Sequence, residues 1–135
     1  MGRAKVTFKK VETDLLEESL AAMGYGINYD DHTVRGYYSR EGSRDCDCVL
    51  VDLKTNEPAE IGLKFSKDEE TGEVIVNVVG DWYLKKYNDK TFTQALKLEY
   101  STSSMNRIAK QNGYVIKEVE ALEEYKRHIL YVKAA

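Results

Sequence analysis

The sequence is poor in the residues that announce a function. It has only two cysteines and one proline in 135 residues, and no apolar run approaching the roughly 20 residues of a membrane-spanning helix. Two cysteines exclude a disulfide scaffold. Without a membrane span or the apolar core of a signal peptide, the expected location is the cytoplasm. No charge of one sign dominates, since 20 basic against 23 acidic residues leave a formal charge of −3. A near-neutral chain has no bulk attraction for phosphate backbones, so nucleic acid is disfavoured as a partner. Phosphate loops, nucleophile elbows and Ser–His–Asp orders are missing, and Gly24-Tyr25-Gly26 is too short for a dinucleotide fingerprint. The residues therefore make no positive case for an enzyme, a catalytic set or a cofactor.

What is present is enough for one core. A hydrophobic fraction of 42% with 32% charged residues describes a folding chain, and the length fits a single domain over 1–135. Val6 to Val11 reads as an opening strand. Asp14 with Glu17 opens a short helix whose Leu16, Leu20 and Met23 share a face before Gly24 ends it. From there to Trp82 the period becomes that of strands, over Tyr25–Tyr29, Val34–Ser39, Cys46–Leu53, Ile61–Phe65 and Val74–Trp82, the last reading as buried on both faces. Thr91-Phe92-Thr93-Gln94 predicts a capping box opening a long helix that ends at Asn112-Gly113, with Ser101–Ser104 as a place where it can bend. Tyr114–Val119 and His128–Lys133 close the chain as a hairpin. The order predicts an α+β two-layer sandwich, a mainly antiparallel sheet of five to seven strands with one short and one long helix on one face.

Cys46 and Cys48 in Asp45-Cys46-Asp47-Cys48 read as two small apolar residues on the inward face of a strand. A closed zinc site needs four ligands, and adding His32 and His128 gives no zinc-motif spacing, so no metal site is expected there. Asp30, Asp31, Asp45 and Asp47 offer oxygens for a hard cation, but their spacing fits no calcium loop.

Thr33-Val34-Arg35-Gly36-Tyr37, Cys46-Asp47-Cys48-Val49-Leu50, Ile61-Gly62-Leu63-Lys64-Phe65, Val78-Val79-Gly80-Asp81-Trp82 and the helix ending Lys110-Gln111-Asn112-Gly113-Tyr114 follow one another in order. Together they resemble the plastid and cyanobacterial hypothetical-frame proteins, domain-of-unknown-function family 1257, from Phe8 to Val132. The resemblance implies a compact cytoplasmic domain and no known chemistry. Some bacterial members lie beside MoxR-type ATPases, which implies an accessory role; the many tyrosines, the Cys-x-Cys and the long Lys67–Glu73 turn depart from the plastid pattern and leave a phage or mobile-element role open.

Ten tyrosines are many for 135 residues, and those at strand and helix ends suit protein interfaces as well as the roof of a core. The leading expectation is a small non-enzymatic binding or adaptor domain, acting on a protein partner or on copies of itself. Its working surface would be the sheet face opposite the helices, with Arg35, Tyr37, Asp47, Lys64, Asp81, Trp82 and Tyr100 as binding candidates. The alternative is capture of a small anionic metabolite or nucleotide, gripped by Arg35 and Lys64. A third class, a metal-dependent hydrolase or nuclease using Asp45, Asp47 and Asp81, needs a divalent ion.

Overall fold

A computed structural model of the protein describes residues 2–8, 11–34, 44–80, 82, 86–123 and 125–134. It is α+β, with a five-stranded antiparallel sheet and two helices, one short and one long. Strands β1 (Gly2–Phe8), β2 (Tyr25–Asn28), β5 (Cys48–Asp52), β6 (Pro58–Lys67) and β7 (Val74–Gly80) lie in the order β1-β7-β6-β5-β2. The meander β5-β6-β7 follows from its turns. In the β6–β7 turn Asp68 accepts the N–H groups of Glu70 and Thr71 at 2.9 and 3.3 Å, so the aspartate side chain holds the reversal.

One face of the sheet carries the core. Cys48, Leu50, Ile61, Leu63, Val76 and Val78 are all buried there, as the period of two requires. Helix α1 (Thr13–Ala22) covers them with Leu15, Leu16 and Leu20, and helix α2 (Asp89–Gln111) with Phe92, Ala95, Leu96 and Tyr100. Phe92 is fully buried, and the rings of Trp82, Tyr25 and Tyr87 stand 5.5, 5.9 and 6.0 Å from it. Burying such a side chain contributes about 2–3 kcal/mol, which makes Phe92 the principal anchor of α2.

Several expectations shift. The opening of α2 lies three residues earlier than the Thr91 motif, because Asn88 and Thr91 form the capping box, with Asn88 Oδ1 accepting the Thr91 N–H at 2.8 Å. The serine run does not interrupt the helix, whose 23 residues span about 35 Å; Ser103 is buried and Thr102 donates to the Leu98 carbonyl. Strand β7 is buried on one face only, since Ile75, Asn77 and Val79 are half-exposed. The expected Val34–Ser39 strand is described only at β3 (Thr33–Val34), which pairs with β4 (Arg44–Asp45) as a separate two-stranded ribbon. Its residues from 35 onward lie outside the described ones. The closing hairpin, β8 (Tyr114–Glu123) with β9 (Lys126–Lys133), also stands apart from the main sheet.

Candidate interaction surfaces

The sheet face opposite the helices is partly roofed. Val34 and Cys46 lie over Val49 in a second small cluster, and a Cβ built on Gly62 would meet Cys46 Sγ and Val34 Cγ2 at 2.6 Å. Gly62 is therefore the position at which the β3–β4 ribbon touches the sheet. The two cysteines consequently face opposite sides: Cys48 belongs to the helix-side core and Cys46 to the roof, which corrects their placement on one inward face. Both are free and buried. Burial pushes the Cys48 thiol up to about 12, helped by the neighbouring Cys46 and Asp47, and raises Cys46 as well.

Of the residues singled out from the sequence, Asp47 and Lys64 are described on this side. Asp47 Oδ2 accepts the Phe65 backbone N–H at 2.7 Å, so its carboxylate completes the strand ladder. Lys64 is exposed and makes no ion pair among the described residues. Trp82 instead folds back over Gly80, where a Cβ would meet the indole at 2.6 Å, and packs on Phe92 on the helix side. Its buried Nε1 has no hydrogen-bond partner among the described residues. Tyr100 is a core residue: its ring lies 4.6 Å from Phe8 and its hydroxyl accepts the Glu12 N–H at 2.9 Å, tying α2 to the start of α1. Arg35, Tyr37 and Asp81 lie outside the described residues. Lys64 and Asp47 thus share a neighbourhood, while Trp82 and Tyr100 do not join them.

No three histidine, cysteine or acidic side chains converge on a common point among the described residues. No described helix is long and apolar enough to cross a membrane.

Among the described residues, most of the exposed large apolar side chains lie on the β8–β9 hairpin. Its register pairs Ile116 with Tyr131, Val119 with Ile129 and Ala121 with Arg127 on one face, and Val115 with Val132, Glu118 with Leu130 and Glu120 with His128 on the other. The first face is moored to α2. Arg127 binds the Glu99 carboxylate and donates to Thr102 at 3.3 Å, and the Tyr131 hydroxyl donates to Asn106 Oδ1. That carboxylate also holds the Arg127 pKa above its ordinary value. Tyr125, at the hairpin turn with φ of 61°, packs against the main core. Gly113, at φ of 83°, turns the chain out of α2, and its carbonyl accepts the N–H of Ala134 at 2.7 Å, closing the base of the ribbon.

Six large apolar residues of this ribbon are nonetheless exposed: Tyr114, Val115, Ile116, Val119, Leu122 and Leu130, with Val119 at 54% and Leu122 at 56%. Met105 and Ile108 on the adjoining end of α2 are exposed too. A two-stranded ribbon with a helix against one face cannot bury all its apolar residues, and its outer edges are unpaired among the described residues. The sequence pattern of these strands showed apolar alternation but gave no sign that the hairpin leaves the main sheet. Comparison with family models, with curated proteins and with solved structures finds no match to this chain.

Proposed function

We propose that this chain is a non-enzymatic protein-binding domain, and that it binds through the β8–β9 hairpin and the adjoining turn of α2 rather than through the sheet face opposite the helices. The observation that carries this reading is the set of exposed apolar side chains on the hairpin, Ile116 and Val119 on one face and Val115 and Leu130 on the other, with Leu122 near the turn. Single apolar residues are normal on a surface, but six exposed large ones on one short ribbon suit a protein partner. The ribbon is also held rigidly enough to present them, through Arg127, Tyr131 and Tyr125. Membership of family 1257, an accessory role beside an ATPase and a mobile-element role belong to the same proposal and add no chemistry to it.

The test places a photo-crosslinking phenylalanine analogue at Val119 and, separately, at Lys64, in the cells that make the protein. A discrete crosslinked species from position 119 and none from 64, lost when Leu122 and Leu130 are changed to Lys in a variant that melts as the parent does, is the expected result. Crosslinking from 64 alone, or equally from both positions, would overturn the assignment.

A further inference from the structure

A pocket lies away from the hairpin. It has a volume of about 660 Å³ and opens between the end of α1, the β5–β6 turn and Lys86 ahead of α2. Tyr25 forms part of its lining. This side chain is only 7% exposed, with its ring packed 5.9 Å from Phe92, yet its hydroxyl has no hydrogen-bond partner among the described residues. The hydroxyl is not sealed from solvent, so it is open to a bound ligand as well as to water. Burial, with Tyr87 and Asp52 nearby, raises its pKa, so it stays a neutral hydrogen-bond donor and acceptor.

The charges around the pocket are balanced. Asp52 and Glu57 face it together with Lys54 and Lys86, and none of the four is ion-paired among the described residues. Asp52 is fixed in place, because its Oδ1 accepts the Lys54 and Thr55 backbone N–H groups at 2.8 and 3.4 Å. The Lys86 ammonium is positioned 5.4 Å from the centre of the Tyr87 ring. At the same rim α1 ends without a basic residue in its last turn, and its Leu20 and Ala21 carbonyls accept the N–H groups of Met23 and Gly24 at 3.0 Å. Met23 and Leu53 supply an apolar wall. A simple anion would satisfy the lysines but meet the two carboxylates, and a simple cation would do the reverse.

We infer that this pocket binds a small zwitterion, a free aliphatic α-amino acid. Its ammonium group is received by Asp52 and Glu57, its carboxylate by Lys54 and Lys86, and its side chain by Met23 and Leu53, with the Tyr25 hydroxyl as a further hydrogen-bonding group. This goes beyond the hairpin reading and does not depend on it.

The experiment titrates the full chain with L-leucine, followed by amide chemical shifts and calorimetry. The two controls are its half-molecules, 4-methylpentanoate without the amine and 3-methylbutylamine without the carboxylate. Saturable shifts at Gly24, Tyr25 and Lys54 are expected, with each half-molecule binding at least about tenfold more weakly. Tyr25→Phe, which keeps the ring in the core, and the surface pair Lys54→Gln with Lys86→Gln should each weaken leucine binding at least about fivefold. No saturable shift at up to about 10 mM leucine, or equal binding of either half-molecule, would overturn the inference.

Discussion

Asp47 and Phe65 are joined by a side-chain hydrogen bond where a strand would use its backbone: Asp47 Oδ2 accepts the Phe65 N–H at 2.7 Å, while the Asp47 N–H donates to the Leu63 carbonyl at 2.8 Å. The chain arrives here from β4 and enters β5 one residue later, so the carboxylate serves the β6 edge over the gap. His32 closes the other side of this crossing, with Nδ1 2.9 Å from the Asp47 carbonyl oxygen. Asp47→Ala should lower stability by about 1–2 kcal/mol, the usual worth of a hydrogen bond to a charged acceptor at the surface. Asp47→Asn keeps an acceptor and should lose less. Urea unfolding of the three proteins measures the order, and equal stability of all three would show that the contact contributes nothing.

Gly62 allows the β3–β4 ribbon to lie on the sheet. Gly62→Ala should destabilise by about 1–3 kcal/mol, since the new methyl has to displace both Cys46 Sγ and Val34 Cγ2. Combining it with Cys46→Ala removes one of the two obstacles, and the pair should then be less destabilising together than the sum of the single changes. A double-mutant cycle by chemical unfolding reads this coupling, and strict additivity would mean that the ribbon moves away as a whole.

Cys46 and Cys48 should be inert to thiol reagents at neutral pH until the protein unfolds. An aromatic disulfide reagent is expected to count two thiols only in denaturant; fast reaction of either in the native state would contradict their burial. The Cys48 shift also gives a pH dependence. Its folded value of about 12 exceeds the ordinary 9.0, so the folded state disfavours the thiolate. The associated stability is whole below about pH 9 and is lost progressively as the pH rises toward the folded value. Cys48→Ala should flatten the decline of melting temperature above pH 9.

Arg107 joins α2 to the start of α1, with Nη1 3.1 Å from Glu12 and Nη2 2.7 Å from Asp14. The guanidinium hydrogen bond holds the Asp14 carboxyl below its ordinary 3.8. A depressed carboxyl contributes stability that is complete above the ordinary value and disappears as the pH falls through the folded one. Arg107→Gln should therefore raise the Asp14 pKa toward its ordinary value in a carboxyl-resolved NMR titration. Its effect on melting temperature at pH 7 should shrink below pH 4, and an Asp14 titration unchanged by the substitution would count against the bridge.

Much of the main sheet is legible residue by residue. Val74 to Val79 place a strand but not its face, since Ile75 and Val79 are apolar too. The alternation of Ile61, Leu63 and Phe65 is enough to place a strand and its inward face, because the strand period is a local property of the chain. The α1 stripe Leu16, Leu20 and Met23 is legible for the same reason. Strand β2 is found as an element, but its position beside β5 is not, since antiparallel order depends on which edge the returning chain meets. The candidate residues are less legible. Tyr100 and Trp82 look like surface aromatics when read alone, yet Phe8 and Phe92 enclose them.

The sequence by itself determined the class of the fold, the two helices and the hairpin, because turn residues, caps and hydrophobic periods act over a few neighbouring residues. Only the tertiary structure decided that the hairpin leaves the sheet and keeps Val119 and Leu122 exposed. It alone decided that Cys46 and Cys48 part to opposite faces, and that Tyr25 packs on Phe92 while lining a pocket. These depend on contacts between segments distant along the chain, such as Arg127 with Glu99 and Gly62 with Val34, whose energies no local pattern encodes.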